Sequence, residues 1–185
     1  MINYLQAKKI LKKAKIKIRD EEIFTNDSLN RVVSKDILST SDYPLSDNAA
    51  FDGFAINSND TKVVNKKNIK HFRIIGSIAA GNKPLNKKVK KFETAEIMTG
   101  GVIPKMFNTI VPIEQINFYP NKKNPKSIII DQKIKKFNYV RFKGSDYKKN
   151  QLVIKKGTII QSNHILALKT LGVKKIKVKK KLNIL

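Results

Sequence analysis

Ser39–Asp60 reads STSDYPLSDNAAFDGFAINSND, and the character of the chain changes there. Serine, asparagine, aspartate and proline crowd this stretch, and a tight Asp52-Gly53 step stands between apolar residues. That is turn chemistry rather than helix. Short β-type runs follow at Phe54–Ile56, Phe72–Ile75, Glu96–Met98, Thr109–Pro112 and Ser127–Ile130. Glycine and proline separate them, and no helical period appears between Asn48 and Asp131. The middle of the chain is therefore predicted to be a small all-β module. Within it, Asn117–Lys126 (NFYPNKKNPK) reads as a polar hairpin tip or loop.

The two ends carry the helical signals. Tyr4, Ala7, Leu11, Ala14 and Ile18 recur at 3/4 spacing while lysines fill the other face, which predicts an N-terminal amphipathic helix. Its apolar stripe is narrow and contains alanine, so packing on its own domain or on a partner subunit is expected, rather than on a membrane. Asp27 or Ser28 is expected to cap a second short helix carrying Leu29, Val32 and Val33. Near the other end, Leu152–Ile154 and Thr158–Ile160 flank Lys155-Lys156-Gly157 as a hairpin. Ser162 then caps a helix bearing Ile165, Leu166, Leu168 and Leu171, with Gly172 at C′. Alternation over Lys174–Lys179 puts Ile176 and Val178 on one side of a final strand.

The 185 residues suffice for one or two small domains with a real core. A net charge of +25 raises nucleic-acid binding. Only Arg19, Arg31, Arg73 and Arg141 are arginines, however, and arginine is the residue favoured for bidentate phosphate and base contacts. Lys, Asn and Ile dominate together and share A/T-rich codons, so a compositional bias explains the charge and nucleic acid is set aside as a partner. The absence of cysteine excludes a disulfide scaffold, a zinc ribbon and a thiol nucleophile. No apolar run approaches the length of a membrane span, and MINYLQAKKILKKAKIKI lacks the h-region of a secretory signal. The expected setting is the cytoplasm.

Nothing matches a P-loop, a Rossmann fingerprint, a kinase signature or a serine-hydrolase elbow. His71 and His164 are too few for a histidine-rich metal cluster and read as surface or packing residues. Asp52, Glu114 and Asp146 are the carboxylates beside turn residues, and carboxylates suit Mg2+. Gly53, Gly76, Gly81, Gly100, Gly101 and Gly144 mark turns that either present groups to a ligand or serve the fold alone.

Five ordered blocks, at 47–56, 76–81, 97–114, 138–146 and 157–178, together resemble one family, the molybdopterin molybdenumtransferases related to the E domain of gephyrin. Asp47–Ile56 (DNAAFDGFAI) resembles its DNSAMDGYA signature, and Gly76–Gly81 (GSIAAG) is similar to its glycine-bracketed turn. Ile97–Glu114 (IMTGGVIPKMFNTIVPIE) resembles its TGAPVP segment, and Asn138–Asp146 (NYVRFKGSD) its NIRRRGED. Gly157–Val178 is similar to its final LASLGI-containing stretch. Ala49, Phe51, Phe54, Met106-Phe107-Asn108 and Ser145 depart from the pattern, while Asp52, Thr99 and Asp146 keep it.

The resemblance implies a discontinuous α+β first domain from residues 1–40 and 140–181, with an inserted all-β second domain at 41–139. Residues 182–185 would begin a third domain. It further implies insertion of molybdate into adenylylated molybdopterin, with Mg2+-dependent release of AMP. The implied partners are a second copy of the chain, in a homodimer, and a molybdopterin-adenylylating protein or domain. Asp52, Thr99 and Asp146 would be catalytic, with Asp52 and Asp146 holding the metal. Asn48, Gly53, Gly100, Arg141 and Lys143 would bind substrate. A non-catalytic dimerising module of the same family and a basic nucleic-acid binder are the competing readings.

Overall fold

Gly53–Ile56 is apolar at every position, so neither face of a strand built from it can stand in water. In the computed structural model, which describes residues 2–13, 17–83 and 85–182, all four of these residues are buried. In chain order the elements are α1 (Tyr4–Lys13), β1 (Asp20–Phe24), β2 (Ile37–Leu38), β3 (Asn48–Ala49), β4 (Gly53–Ile56), β5 (Lys70–Ile78) and β6 (Glu93–Ile97). They continue with β7 (Thr109–Pro112), β8 (Asn117–Tyr119), β9 (Ser127–Ile130), β10 (Val140–Arg141), β11 (Leu152–Ile154), α2 (Ser162–Thr170) and β12 (Lys175–Lys179). The protein is mixed α/β and mostly sheet. It divides into two compact units, Met1–Thr40 with Asn150–Leu185, and Ser41–Lys149. The second boundary lies at 149/150 rather than at the expected 139/140. The reason is that β10 pairs with β3, and Tyr43 accepts from and donates to Tyr147, which ties 140–149 to the middle unit.

The Ser41–Lys149 unit is built on a six-stranded sheet of order β7-β4-β6-β5-β9-β8, antiparallel except where β5 runs parallel to β6. Alternation along β4 splits its side chains between two cores. Phe54 and Ile56 join Phe72, Val111 and Ile128, whereas Ala55 joins Ile97, Phe107 and Ile110 on the other side. The five β-type runs correspond to β4, β5, β6, β7 and β9. The segment expected as a hairpin tip contributes β8, which pairs with β9 and leaves only its remainder as the connection.

Glu93 on β6 is 6% exposed. It accepts from the Lys90 N–H at 2.7 Å and pairs with Arg73. The Lys90 N–H first, and Arg73 after it, hold its carboxyl below the usual value against the opposing effect of burial. A depressed folded value means that this stabilisation is complete above the ordinary glutamate range, about pH 4.5, and is lost as pH falls through the folded value. The expected result is a melting temperature that drops less steeply below pH 5 in Glu93→Gln than in the natural chain. Parallel curves from a pH series of thermal melts would refute it.

In the other unit, β1 pairs with β12 and β2 with β11. Val33, Ile154, Ile160, Leu168, Ile176 and Val178 form its core. The second short helix is absent. Thr25–Asp27 is a single 3-10 turn, and Val32 and Val33 bridge to Ile159 and Val178, because Val33 is wholly buried in that core. The same pairing replaces the expected 152–160 hairpin, since Val33 donates to Thr158 and Ile160 donates to Arg31. α2 begins one residue after Gln161, whose N–H donates to His164 Nδ1 at 3.0 Å, so His164 rather than Ser162 satisfies the helix start. Gly172, at φ +71°, and Val173 close its end with bonds to Lys169 and Leu168. No residue of α1 is buried, which leaves its apolar stripe outside any core of this chain; Ala14 and 183–185 lie outside the described residues. Among the described residues no helix is long and apolar enough to cross a membrane.

Candidate functional site

Three of the motif blocks meet around β3. On one side Ala49 donates to Gly101 O, Gly100 donates to Ala49 O, and Ile103 donates to Asp47 O. On the other side Val140 and Arg141 of β10 stand opposite Ala49 and Asn48, while Ala50 donates to Tyr139 O. The sheet geometry therefore gathers DNAAFDG, TGG and NYVRFKGSD from positions up to a hundred residues apart in sequence.

Asp52 caps this arrangement. Its Oδ1 accepts the Thr99 N–H at 2.6 Å and the Thr99 hydroxyl at 2.7 Å. The backbone N–H first and the hydroxyl second hold the Asp52 carboxyl below the usual range. The pair is exposed, so Asp52 presents a fixed negative charge and acceptor to solvent at neutral pH. Both Thr99 donors and the Gly100 N–H are engaged inside the chain, by Asp52 and by Ala49 O. These groups thus position the carboxylate rather than forming an open oxyanion cradle.

The β10 side holds a second constellation. Arg141 forms an ion pair with Asp146, which also accepts from Ser145 Oγ at 3.1 Å, and the Arg141 guanidinium lies 5.8 Å from the Tyr43 ring centre. Lys143 donates its N–H to Asp47 Oδ1 at 2.8 Å and extends Nζ to within 3.4 Å of Asp42 Oδ2. Asp42, held below the usual carboxylate range chiefly by the Lys149 N–H, was not among the residues singled out from sequence; nor were Tyr43 and Asp47. Asp42 and Tyr43 carry no signal beyond the turn-rich SDYPLSD run, whereas Asp47 also opens the DNAAFDGFAI block. No hydrogen bond or ion pair among the described residues joins Asp52–Thr99 to Arg141–Asp146.

Gly53 and Asn48 take different places. An added Cβ on Gly53 would fall on the Val111 carbonyl oxygen and come within 2.9 Å of Pro112 Cα, so Gly53 serves the approach of β7 to β4. Asn48 Oδ1 is buried without a hydrogen-bond partner among the described residues. An unsatisfied buried acceptor costs about 1–3 kcal/mol and is a place where a ligand donor is welcome.

A metal is not accommodated by these residues alone. Among the described residues no group of three or more His, Cys, Asp or Glu side chains could hold an ion. Asp52 spends Oδ1 on Thr99, and Asp146 is committed to Arg141. The two carboxylates do not fit Mg2+ as a site of their own. Glu114 is exposed in a 3-10 turn after β7, and His71 rests against Ser127 and Tyr119 on the sheet.

The chain is similar to known proteins over most of its length. The molybdopterin molybdenumtransferase of Staphylococcus epidermidis strain RP62A is 29% identical over 180 residues, covering 97% of this chain and 42% of that protein. That of Staphylococcus aureus strain Mu50 is 33% identical over 151 residues, covering 82% and 35%. The crystal structure of the molybdopterin biosynthesis MoeA protein from Pyrococcus horikoshii superposes with a TM-score of 0.82 at 28% identity, over 97% of this chain and 44% of that one. The chain thus spans about two fifths of the length of these relatives. A family model described as the MoeA N-terminal region, domain I and II, matches residues 2–172, and on that match the chain belongs to the MoeA family.

Proposed function

We propose that this chain acts in molybdenum cofactor biosynthesis, as the two-domain N-terminal part of an enzyme that inserts molybdate into adenylylated molybdopterin and releases AMP. The observation that carries the reading is the Asp52–Thr99 pair, held at the meeting of three motif blocks in a protein of this family. Asp52, kept ionised by Thr99, orients a cationic or proton-bearing group of the substrate assembly. Arg141, with Lys143 beside it in the same segment, attracts the anionic groups of molybdate and pyrophosphate, and Asp146 fixes the Arg141 guanidinium. Asn48 Oδ1 accepts a substrate donor. No step is assigned to Mg2+, because the residues present do not build its site.

α1, with no buried residue, favours assembly through this helix, and we assign it to a homodimer contact. The remaining reaction groups come from the molybdopterin-adenylylating domain or protein that works beside it, in the cytoplasm.

The test is Asp52→Ala in a complete enzyme carrying this region, assayed for cofactor formation from adenylylated molybdopterin and molybdate. Loss of a positioned charged group predicts a fall of about 100-fold or more in rate, with the far-ultraviolet dichroism unchanged. Undiminished cofactor formation would sink the assignment.

A further inference from the structure

Asp42 places one carboxylate oxygen at each end of the turn that carries Asp146. Its Oδ1 accepts the Lys149 N–H at 2.9 Å, and its Oδ2 lies 3.4 Å from Lys143 Nζ. We propose that Asp42 is a positioning residue for anion binding, clamping residues 143–149 so that Lys143 and Arg141 hold their places before a substrate arrives. This deepens the proposed function and rests on it, since Arg141 and Lys143 are there the groups that attract substrate anions.

The turn depends on the stretch that Asp42 opens. Gly144, at φ +70°, donates to Pro44 O at 3.0 Å, and Asp146 and Tyr147 donate to Tyr43 O at 3.0 and 3.1 Å. Tyr43 donates back to Tyr147 O at 2.7 Å and sets its ring 5.8 Å from the Arg141 guanidinium. Backbone carbonyls thus hold the middle of the turn, and side-chain carboxylates hold its ends. Asp47 Oδ1 takes the Lys143 N–H at 2.8 Å, and Asp42 takes the Lys149 N–H. Asp42 also reaches back to Lys143 Nζ, so it spans the turn from end to end. Between those ends Asp146 fixes the Arg141 guanidinium.

An exposed lysine–aspartate pair adds little to stability, so the effect of Asp42 falls on order rather than on folding. A free lysine side chain must be immobilised by the anion that binds it, at a cost in affinity. The Asp42 carboxylate supplies part of that order in advance. At 3.4 Å it is farther than the roughly 2.7–2.9 Å of a full charge-assisted bond, so the Lys143 ammonium is steered without being saturated and can still meet a phosphate. Phosphate charge is present in the ground state and in the transition state alike. Losing the clamp therefore removes uniform binding, which raises KM and leaves kcat in place.

The experiment measures kcat and KM for adenylylated molybdopterin in a complete enzyme carrying this region. Asp42→Ala is expected to raise KM about tenfold, with kcat changed by less than about twofold. Asp42→Asn keeps an oxygen for the Lys149 N–H and loses the charge facing Lys143, so KM should rise only about threefold. If the alanine variant does not fold, the asparagine variant carries the same test at that level. Asp36 is the matched control, because its Oδ1 accepts the Lys156 N–H at 2.7 Å in the other unit; Asp36→Ala should leave KM unchanged. On a background of Arg141→Ala with Lys143→Ala, adding Asp42→Ala should raise KM by less than about twofold, because the groups it positions are gone. A merely structural role would add its full effect there. The inference is overturned if Asp42→Ala leaves KM unchanged while Arg141→Ala and Lys143→Ala raise it, if kcat falls as far as KM rises, or if the tenfold effect persists on the double background. Should Arg141→Ala and Lys143→Ala themselves leave KM unchanged, the anion-binding reading of those two residues fails, and the positioning role falls with it.

Discussion

Gly53→Ala is expected to destabilise the Ser41–Lys149 unit by about 3 kcal/mol or more, the upper range of over-packing costs. The first carbon of any side chain at 53 lands on the Val111 carbonyl oxygen, and Pro112 Cα is 2.9 Å away, so backbone rather than a flexible side-chain tip must yield. The two strands are also joined there in register, Gly53 opposite Pro112 and Phe54 opposite Val111. Pushing β7 away breaks the bond from the Ile113 N–H to Asp52 O and shifts the residue that holds Thr99. A ligand-binding role for Gly53, as its motif implies, predicts something different, namely a stable protein with weakened binding. Urea titration followed by circular dichroism separates the two. A loss below about 1 kcal/mol would remove the packing account.

Much of the sheet was legible in the chain because its signals are local. Phe54–Ile56, Thr109–Pro112 and Ser127–Ile130 are short apolar runs between turn residues, and each became a strand. Pairing was not legible, since a period-2 pattern states that a segment has two faces without naming its neighbour. Thr158–Ile160 looked like the second arm of a hairpin, yet it bonds to Arg31–Val33, because Val33 and Ile160 both belong to one buried core. A capping residue and spacing alone predict a helix through Val32 and Val33, whereas their β-branching argues for the extended backbone they adopt.

The site was legible in a different way. Asp52 and Thr99 are 47 residues apart, and no periodicity links them; the two motif blocks that hold them mark them in the sequence, and β-pairing explains why they touch. The left-handed conformations of Phe92, Phe137 and Tyr139 left no trace in the sequence, because the tertiary bonds that impose them run to Asp60, Asn108 and Ala50. Departures from the family pattern gain sense in the fold. Phe51 stands 50% exposed with its ring 5.0 Å from Tyr139, whereas Phe54 is 1% exposed inside the core.

Phe72→Ala is expected to cost about 4 kcal/mol, a typical value for emptying a fully buried aromatic position. Phe72 is 0% exposed on β5, between β6 and β9, opposite Ile128 and edge-on to Phe92 at 5.4 Å. Two features keep the void from collapsing. Strands on both sides fix the β5 backbone, and Phe92 is locked at φ +60° by its N–H to Asp60 Oδ2 at 3.1 Å, so its ring cannot swing inward cheaply. Phe92→Ala should cost less than half as much, since Phe92 is only partly buried at the edge of the same cluster. Phe72→Leu should recover more than half of the loss by refilling volume without the ring. Urea midpoints of the three variants decide the matter. A Phe72→Ala loss under about 1.5 kcal/mol would mean that the sheet closes around the cavity, and that the two faces of β4 are not the rigid frame on which Asp52 and Thr99 are held.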